Sequence, residues 1–368
     1  MKNLLETVAP TLLMGPGPSC VHPATYWALS RPTLGHLDPS FIEIMDAIKE
    51  QLRVLMGTNN AVTVPMSGTG SAGMEAAFVN VVEPGDRVLI LQNGVFGKRM
   101  AEVATRLGAR VDVLAFDWGQ PVNVEEAAKR FEEPYDLVAV VHAETSTGVC
   151  NPVGEIGERL AGRALYLVDA VTSLGGIPVR VDDWGADICY SGTQKCLSCP
   201  PGLAPLTVSD RAMARIAARK RPVPNWYLDL SLLTAYWEGA TRVYHHTAPV
   251  NMLYGLYQAN QLILEEGLEN AYARHAACHA QLVEGLAKLG LEMFVEASCR
   301  LPMLNLVTVP EGVEEARVRK RLLEEHRIEI GAGLGPLAGK VWRIGLMGHT
   351  ARRENVERLL AALAAVLA

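Results

Sequence analysis

With 368 residues, 49% hydrophobic and 20% charged, the chain exceeds the usual size of one domain and can bury a large core. A formal net charge of −6, with no run of lysine and arginine interleaved with aromatics, excludes the footprint of a nucleic-acid binder. Seven irregularly spaced cysteines suit reduced thiols rather than a disulfide framework, nowhere do about 18 apolar residues run together, and Glu6 interrupts any signal segment, so a soluble cytoplasmic protein without membrane spans is expected.

Residues 1–20 read as an N-terminal arm with the loop-like Gly15-Pro-Gly-Pro, able to return to the C-terminal part or to reach a second subunit. Arg31-Pro-Thr-Leu-Gly-His is also loop-like, and a helix is expected from Pro39 to Met56. From about Ala61 to Val208, apolar strands alternate with stretches of helical period. The strands start near Val62, Asp86, Ala109, Asp136, Ala164, Asp187 and Leu203, and Gly97–Leu107 and Val122–Phe131 read as crossover helices. Strands apolar throughout, alternating with helices, define an α/β fold around a mostly parallel seven-stranded sheet covered on both faces.

After Pro249 a long helical pattern runs to about Leu289. A strand at Leu304, a helix ending at His326, the pair Ile328-Glu-Ile and Val341-Trp-Arg-Ile, and a helix from Glu354 follow. The division read from this is an arm (1–20), a large domain (21–255) and a smaller α+β domain (256–368) joined by a long helix.

Lys195 follows the strand-like Asp187-Ile-Cys-Tyr and precedes Pro200-Pro-Gly, which puts it at a strand-to-loop exit. Asp169 ends the apolar run Ala164-Leu-Tyr-Leu-Val. An amine and a carboxylate at the ends of neighbouring strands are what pyridoxal 5′-phosphate needs, one for covalent attachment and one for its ring nitrogen. The plainer readings are a surface lysine and a turn-capping aspartate.

Ser67-Gly-Thr-Gly-Ser71 sits between a strand and a helical segment, where small residues and hydroxyls suit a phosphate, or merely cap a Gly-rich turn. Phe96 leaves the sheet at its carboxyl edge and can stack on a pyridine ring or fill core, and Val171 is placed to pack on that ring. Arg343 is a charge in an apolar strand and requires either a substrate carboxylate or an internal Asp or Glu. Tyr244-His-His-Thr247 lacks the spacing of a metal site, so no metal is expected, and Cys196-Leu-Ser-Cys199 lacks the context of a redox motif.

Taken together, Met14-Gly-Pro-Gly-Pro-Ser, Glu144-Thr-Ser-Thr-Gly-Val, Leu167-Val-Asp-Ala-Val-Thr-Ser-Leu-Gly-Gly, Tyr190-Ser-Gly-Thr-Gln-Lys-Cys, Tyr244-His-His-Thr and Arg343-Ile-Gly-Leu-Met-Gly resemble the class V, fold type I aminotransferases. Within them, the alanine–glyoxylate and serine–glyoxylate group is the most similar.

The resemblance implies that Lys195 carries the cofactor, Asp169 pairs with its ring nitrogen, and Thr69, Gly70, Ser71 and Gln194 bind its phosphate. It implies that Tyr244 and Thr247 arrive from the other subunit of a homodimer, and that Gly35 of that subunit lines the pocket. By the same resemblance, Thr145 would lie near the phenolic oxygen of the cofactor and Arg343 would hold the substrate carboxylate.

Four positions depart from the family: Phe96 for a tryptophan, Thr145 for a serine, and cysteines at 196 and 199 for alanines. The implied reaction moves an amino group from alanine or serine to glyoxylate. The alternatives are ureidoglycine–glyoxylate or pyridoxamine–pyruvate transamination. More remote are a cysteine desulfurase using Cys299 and a non-catalytic binding protein.

Overall fold

Seven strands form one sheet in the order Val62–Ser67, Leu203–Val208, Ile188–Tyr190, Leu165–Asp169, Leu137–Val141, Arg87–Gln92, Arg110–Ala115. Leu203–Val208 runs antiparallel to both its neighbours, and every other pairing is parallel. This computed structural model describes residues 3–239 and 241–368; the first two residues of the expected arm and Ala240 lie outside the described residues. Leu137–Val141 and Leu165–Asp169 are buried along their whole length, as central strands covered on both faces must be. The parallel strands end together at Gln92, Val141, Asp169 and Tyr190, so one carboxyl edge gathers the loops that carry the candidate residues.

The helix Pro39–Met56 begins and ends where its sequence says it should. Asp38 accepts from the Ser40 N–H at 2.9 Å, proline occupies the first turn, and Gly57 closes the helix at φ +58°. Its buried face, Phe41, Met45, Ile48, Leu52 and Leu55, packs against the helix Val250–Glu266.

The helical pattern after Pro249 is two helices rather than one long one. Gly267, at φ +85°, breaks it into Val250–Glu266 and Leu268–Lys288. Beyond them Val341–Gly345 is the middle strand of an antiparallel sheet, flanked by Leu304–Thr308 and Gly331–Ala332. Arg343 stands between Leu306 and Gly331 in that register. Ile328–Glu329 pairs elsewhere: it takes Leu12–Leu13 of the arm in parallel, and the Gly345 N–H donates to the Met14 carbonyl at 2.7 Å. The arm thus returns to the C-terminal part, and Pro16 to Ser19 are delivered beneath Lys195.

Candidate active site

Asp169 is the last residue of its strand and only 2% exposed. Its carboxylate accepts from the Val171 N–H at 2.8 Å and from the Tyr190 hydroxyl at 2.7 Å. Both donors are uncharged, and burial raises the carboxyl to about 6. Among the described residues it has no ion-pair partner, so the position calls for a cation. Tyr190 lies directly opposite Asp169 in the parallel register. Its role was readable only as a buried hydroxyl in need of a partner.

Lys195 is 9% exposed, and its Nζ donates to the Pro16 carbonyl. Burial, reinforced by the Arg343 charge, lowers its amine to about 8. The loop beneath it is fitted closely: a Cβ on Gly17, where φ is +108°, would lie 2.8 Å from Nζ. Ser19 fastens the same loop by donating from Oγ to the Lys195 carbonyl at 2.7 Å. With an amine near 8, capture of pyridoxal phosphate by cofactor-free protein should rise about tenfold per pH unit below that value and level above it, because only the neutral amine attacks. Stopped-flow absorbance at several pH values checks this.

Asp169 and Lys195 open on one cleft with Thr69, Gly70, Ser71, Phe96, Thr145, Val171 and Gln194. The helix Gly70–Val81 begins here without a side-chain cap, leaving first-turn N–H groups for an anion. Gly70 approaches Val171 so closely that a Cβ would stand 3.1 Å from its Cγ2, and the buried Gln194 Oε1 has no protein partner. An uncapped helix start, an orphaned amide oxygen, a carboxylate without a cation and a lysine whose amine is lowered to about 8 fit a phosphorylated pyridine aldehyde. A larger cavity, about 630 Å³, lies across the Cys196–Ser198 turn and contains no such pair.

Two residues here had no role in the reading of the sequence. Arg99 lines the cleft, stands 5.1 Å over the Phe96 ring, and donates to Ser71 Oγ at 3.3 Å. Glu144, fully buried, accepts from the N–H groups of Phe96 (3.2 Å) and Gly97 (3.4 Å) at the start of the helix Val95–Arg106. It also accepts from Ser146 Oγ at 2.6 Å, and burial raises its carboxyl. Glu144 therefore orients Phe96. The signal was a carboxylate next to an apolar strand end, which is costly unless several donors meet it.

Arg343 donates from Nε to the Ala332 carbonyl at 2.6 Å and from Nη1 to the Thr145 carbonyl at 3.3 Å. It is 7% exposed and, among the described residues, no carboxylate pairs with it. Burial pulls the guanidinium down to about 10. Of the two partners open to it from sequence, no internal acid fills the place. Gly35, Tyr244 and Thr247 are not among the residues lining the cleft; Tyr244 is 54% exposed and Thr247 is also exposed. Cys299 does not line the cleft either. Among the described residues no cluster of three metal-binding side chains occurs and no helix is long and apolar enough to cross a membrane.

An α/β sheet with a lysine and an aspartate on its carboxyl edge beside an anion-ready helix start is an arrangement that suits group-transfer chemistry of the pyridoxal type. The family model for class V aminotransferases matches residues 24–359, and the chain belongs to that family. It is 42% identical to the (S)-ureidoglycine–glyoxylate transaminase of Bacillus subtilis, over 96% of this chain and 90% of that protein. It is also 42% identical to the alanine–glyoxylate aminotransferase of Callithrix jacchus, over 98% and 89%. The crystal structure of an alanine–glyoxylate aminotransferase from a Nostoc species superposes with a TM-score of 0.96 at 46% identity, covering all of both chains. The fold is fold type I.

Proposed function

We propose that this aminotransferase uses pyridoxal 5′-phosphate to move the amino group of L-alanine or L-serine to glyoxylate, producing glycine and the matching 2-oxo acid. The observation that carries it is Arg343, a buried guanidinium without a carboxylate partner among the described residues, which donates to the carbonyl of Thr145 on the wall of the Lys195–Asp169 cleft. When bound, the cofactor supplies an electron sink for the pair left behind when the substrate Cα proton departs.

The chain's own residues supply the rest. These residues line one cleft, where Asp169 would hold the ring nitrogen protonated, Thr69, Gly70, Ser71 and Gln194 would take the phosphate, Phe96 and Val171 would hold the ring, and Thr145 would offer its hydroxyl to the phenolic oxygen. Lys195 Nζ, whose lowered pKa of about 8 gives it a larger neutral fraction than an ordinary lysine has, accepts the Cα proton. Arg343 clamps the α-carboxylate. Arg99 is bonded to Ser71, at the phosphate end, so among the residues lining the cleft no second cation is set aside for a substrate side-chain carboxylate. That favours small neutral donors over aspartate.

The protein is read as a homodimer with shared sites. Gly35 has open space where a side chain would be, Tyr244 and Thr247 are exposed, and Trp27 and Trp226 present apolar surface to solvent. These features suit a partner that covers them and returns Tyr244 and Thr247 to the phosphate. The division at about residues 20 and 255 and a cytoplasmic location belong to the same reading.

Ureidoglycine as donor is the second reading, favoured by the equal identity to the Bacillus subtilis relative. Titrating the holoenzyme with alanine, serine, aspartate and ureidoglycine separates them. Loss of the visible absorbance with alanine or serine, and recovery on glyoxylate, supports the first; bleaching by ureidoglycine alone supports the second. A band that none of the four bleaches sinks both.

Arg343→Lys keeps the charge and loses the fork. Charge-assisted hydrogen bonds are worth about 1.5–3 kcal/mol each, so the KM for alanine should rise roughly 10- to 100-fold with a smaller change in kcat. Steady-state kinetics at saturating glyoxylate reads the split.

A further inference from the structure

Ala143–Glu144 and Val149–Cys150 form a hairpin whose second strand bridges to the C-terminal part, Val149 opposite Arg300 in antiparallel sense. The Leu301 N–H donates to the Gly148 carbonyl at 3.3 Å, which repeats the same register. Continued one residue past that bridge, the register sets Cys150 against Cys299, the last residue of the short turn Ala297–Cys299, and both side chains belong to one apolar cluster. Both thiols are free. Residues directly opposite in antiparallel pairs have Cα atoms about 4.5–5.5 Å apart with side chains on one face. A disulfide spans about 4.4–6.8 Å between Cα atoms. Burial first, and then the charge of Cys299, raises the Cys150 thiol to about 11.

We propose that Cys150 and Cys299 form a dithiol site that hydrogen peroxide converts into a disulfide, fastening the hairpin that carries Glu144 and Thr145 to the C-terminal sheet that carries Arg343. The seam is already a functional one, because the Thr145 carbonyl accepts from Arg343 across it. One thiolate attacks the O–O bond of the peroxide, giving a sulfenic acid and hydroxide; the second thiol then displaces the sulfenic oxygen as water. Two thiols lose two electrons and two protons, one peroxide takes them up, and two waters leave. Raised thiols hold little thiolate at neutral pH, so the site resists casual oxidation and reacts under sustained oxidant. Cys299 Sγ donates only to the Glu296 carbonyl of its own turn, at 3.6 Å, whereas Cys196 Sγ donates to the Thr172 carbonyl at 3.2 Å, Cys20 Sγ accepts from the Leu13 N–H at 3.3 Å, and Cys199 packs beside Gly255.

The test is treatment of the holoenzyme with hydrogen peroxide at mildly alkaline pH, followed by intact-mass analysis and non-reducing peptide mapping. The expected result is a loss of about 2 Da and one peptide joining residues 150 and 299, reversed by dithiothreitol. The joined peptide should be absent from Cys150→Ser and from Cys299→Ser, and present in Cys196→Ser. Stepwise mass gains of about 16 Da per oxygen without a joined peptide overturn the proposal, as does Cys150 joined to any cysteine other than Cys299.

Discussion

Replacing Lys195 by alanine is expected to lower turnover by about 10⁴-fold or more while leaving the protein folded. The loss combines the covalent attachment point with the group that moves the Cα proton, and proton transfer by a positioned side chain alone is worth roughly 10²–10⁴-fold. Stability should change little because two effects oppose each other. An amine lowered from 10.5 to about 8 means that the unfolded chain binds the proton more tightly, so at pH 7 the folded state bears a cost that rises in pH through 8 to 10.5 would relieve. Alanine removes that cost but leaves a cavity where the methylenes packed. Nζ makes one hydrogen bond, to the Pro16 carbonyl, so little else is lost. The variant should lack the visible absorbance of the lysine-linked cofactor, and a small primary amine added to the buffer should restore part of the rate. Alanine-dependent turnover, absorbance and a melting curve together check this; a variant that retains more than about a tenth of the activity sinks the assignment.

Asp169→Asn should lower turnover by about 10²–10³-fold, the usual scale for one electrostatic contact to developing charge, and should shift the absorbance of the bound cofactor. Asparagine keeps the shape and can still accept from the Val171 N–H, but it cannot hold the ring nitrogen protonated. The cofactor-free protein should respond in the opposite direction. A carboxyl raised from 3.8 to about 6 is protonated more readily when folded, so stability falls as pH rises between those values and the deficit persists at pH 7. At 1.36 kcal/mol per pH unit, that deficit is at most about 3 kcal/mol. Cofactor-free Asp169→Asn should therefore melt higher than the parent above pH 6 and no higher at pH 4. A variant that loses both activity and stability at every pH would mean that Asp169 only supports the fold. Rescue of the spectrum by acid would also separate the roles, since asparagine has no proton to regain.

The central sheet was legible because its signals are local. Each of the strands near Asp86, Asp136 and Ala164 is a run of apolar residues bounded by a charged or turn residue, and each lies in the structure within one residue of its expected start. The helix Pro39–Met56 carries its own cap, proline and terminal glycine. The break at Gly267 was missed because helical period continues on both sides, and one glycine inside such a pattern weighs little until its φ of +85° is known. The arm could not be assigned to the C-terminal part or to a partner, since a parallel pairing of Leu12–Leu13 with Ile328–Glu329 over more than 300 positions leaves no mark in either segment.

The same division runs through the site. Lys195, Asp169, the Gly-rich loop and Phe96 were identifiable because strand ends and helix starts announce the carboxyl edge where ligands bind. Tyr190 on Asp169, Glu144 beneath Phe96, Arg99 on Ser71 and Pro16 under Lys195 were not, because each contact joins segments far apart in the chain. The sequence by itself determined the sheet, the lysine–aspartate pair and the family likeness, all of which follow from hydrophobic period and short motifs. Only the tertiary structure decided which carboxylate lacks a cation, which guanidinium lacks an acid, and that Val149 bridges to Arg300, because burial and pairing depend on what the rest of the chain brings alongside.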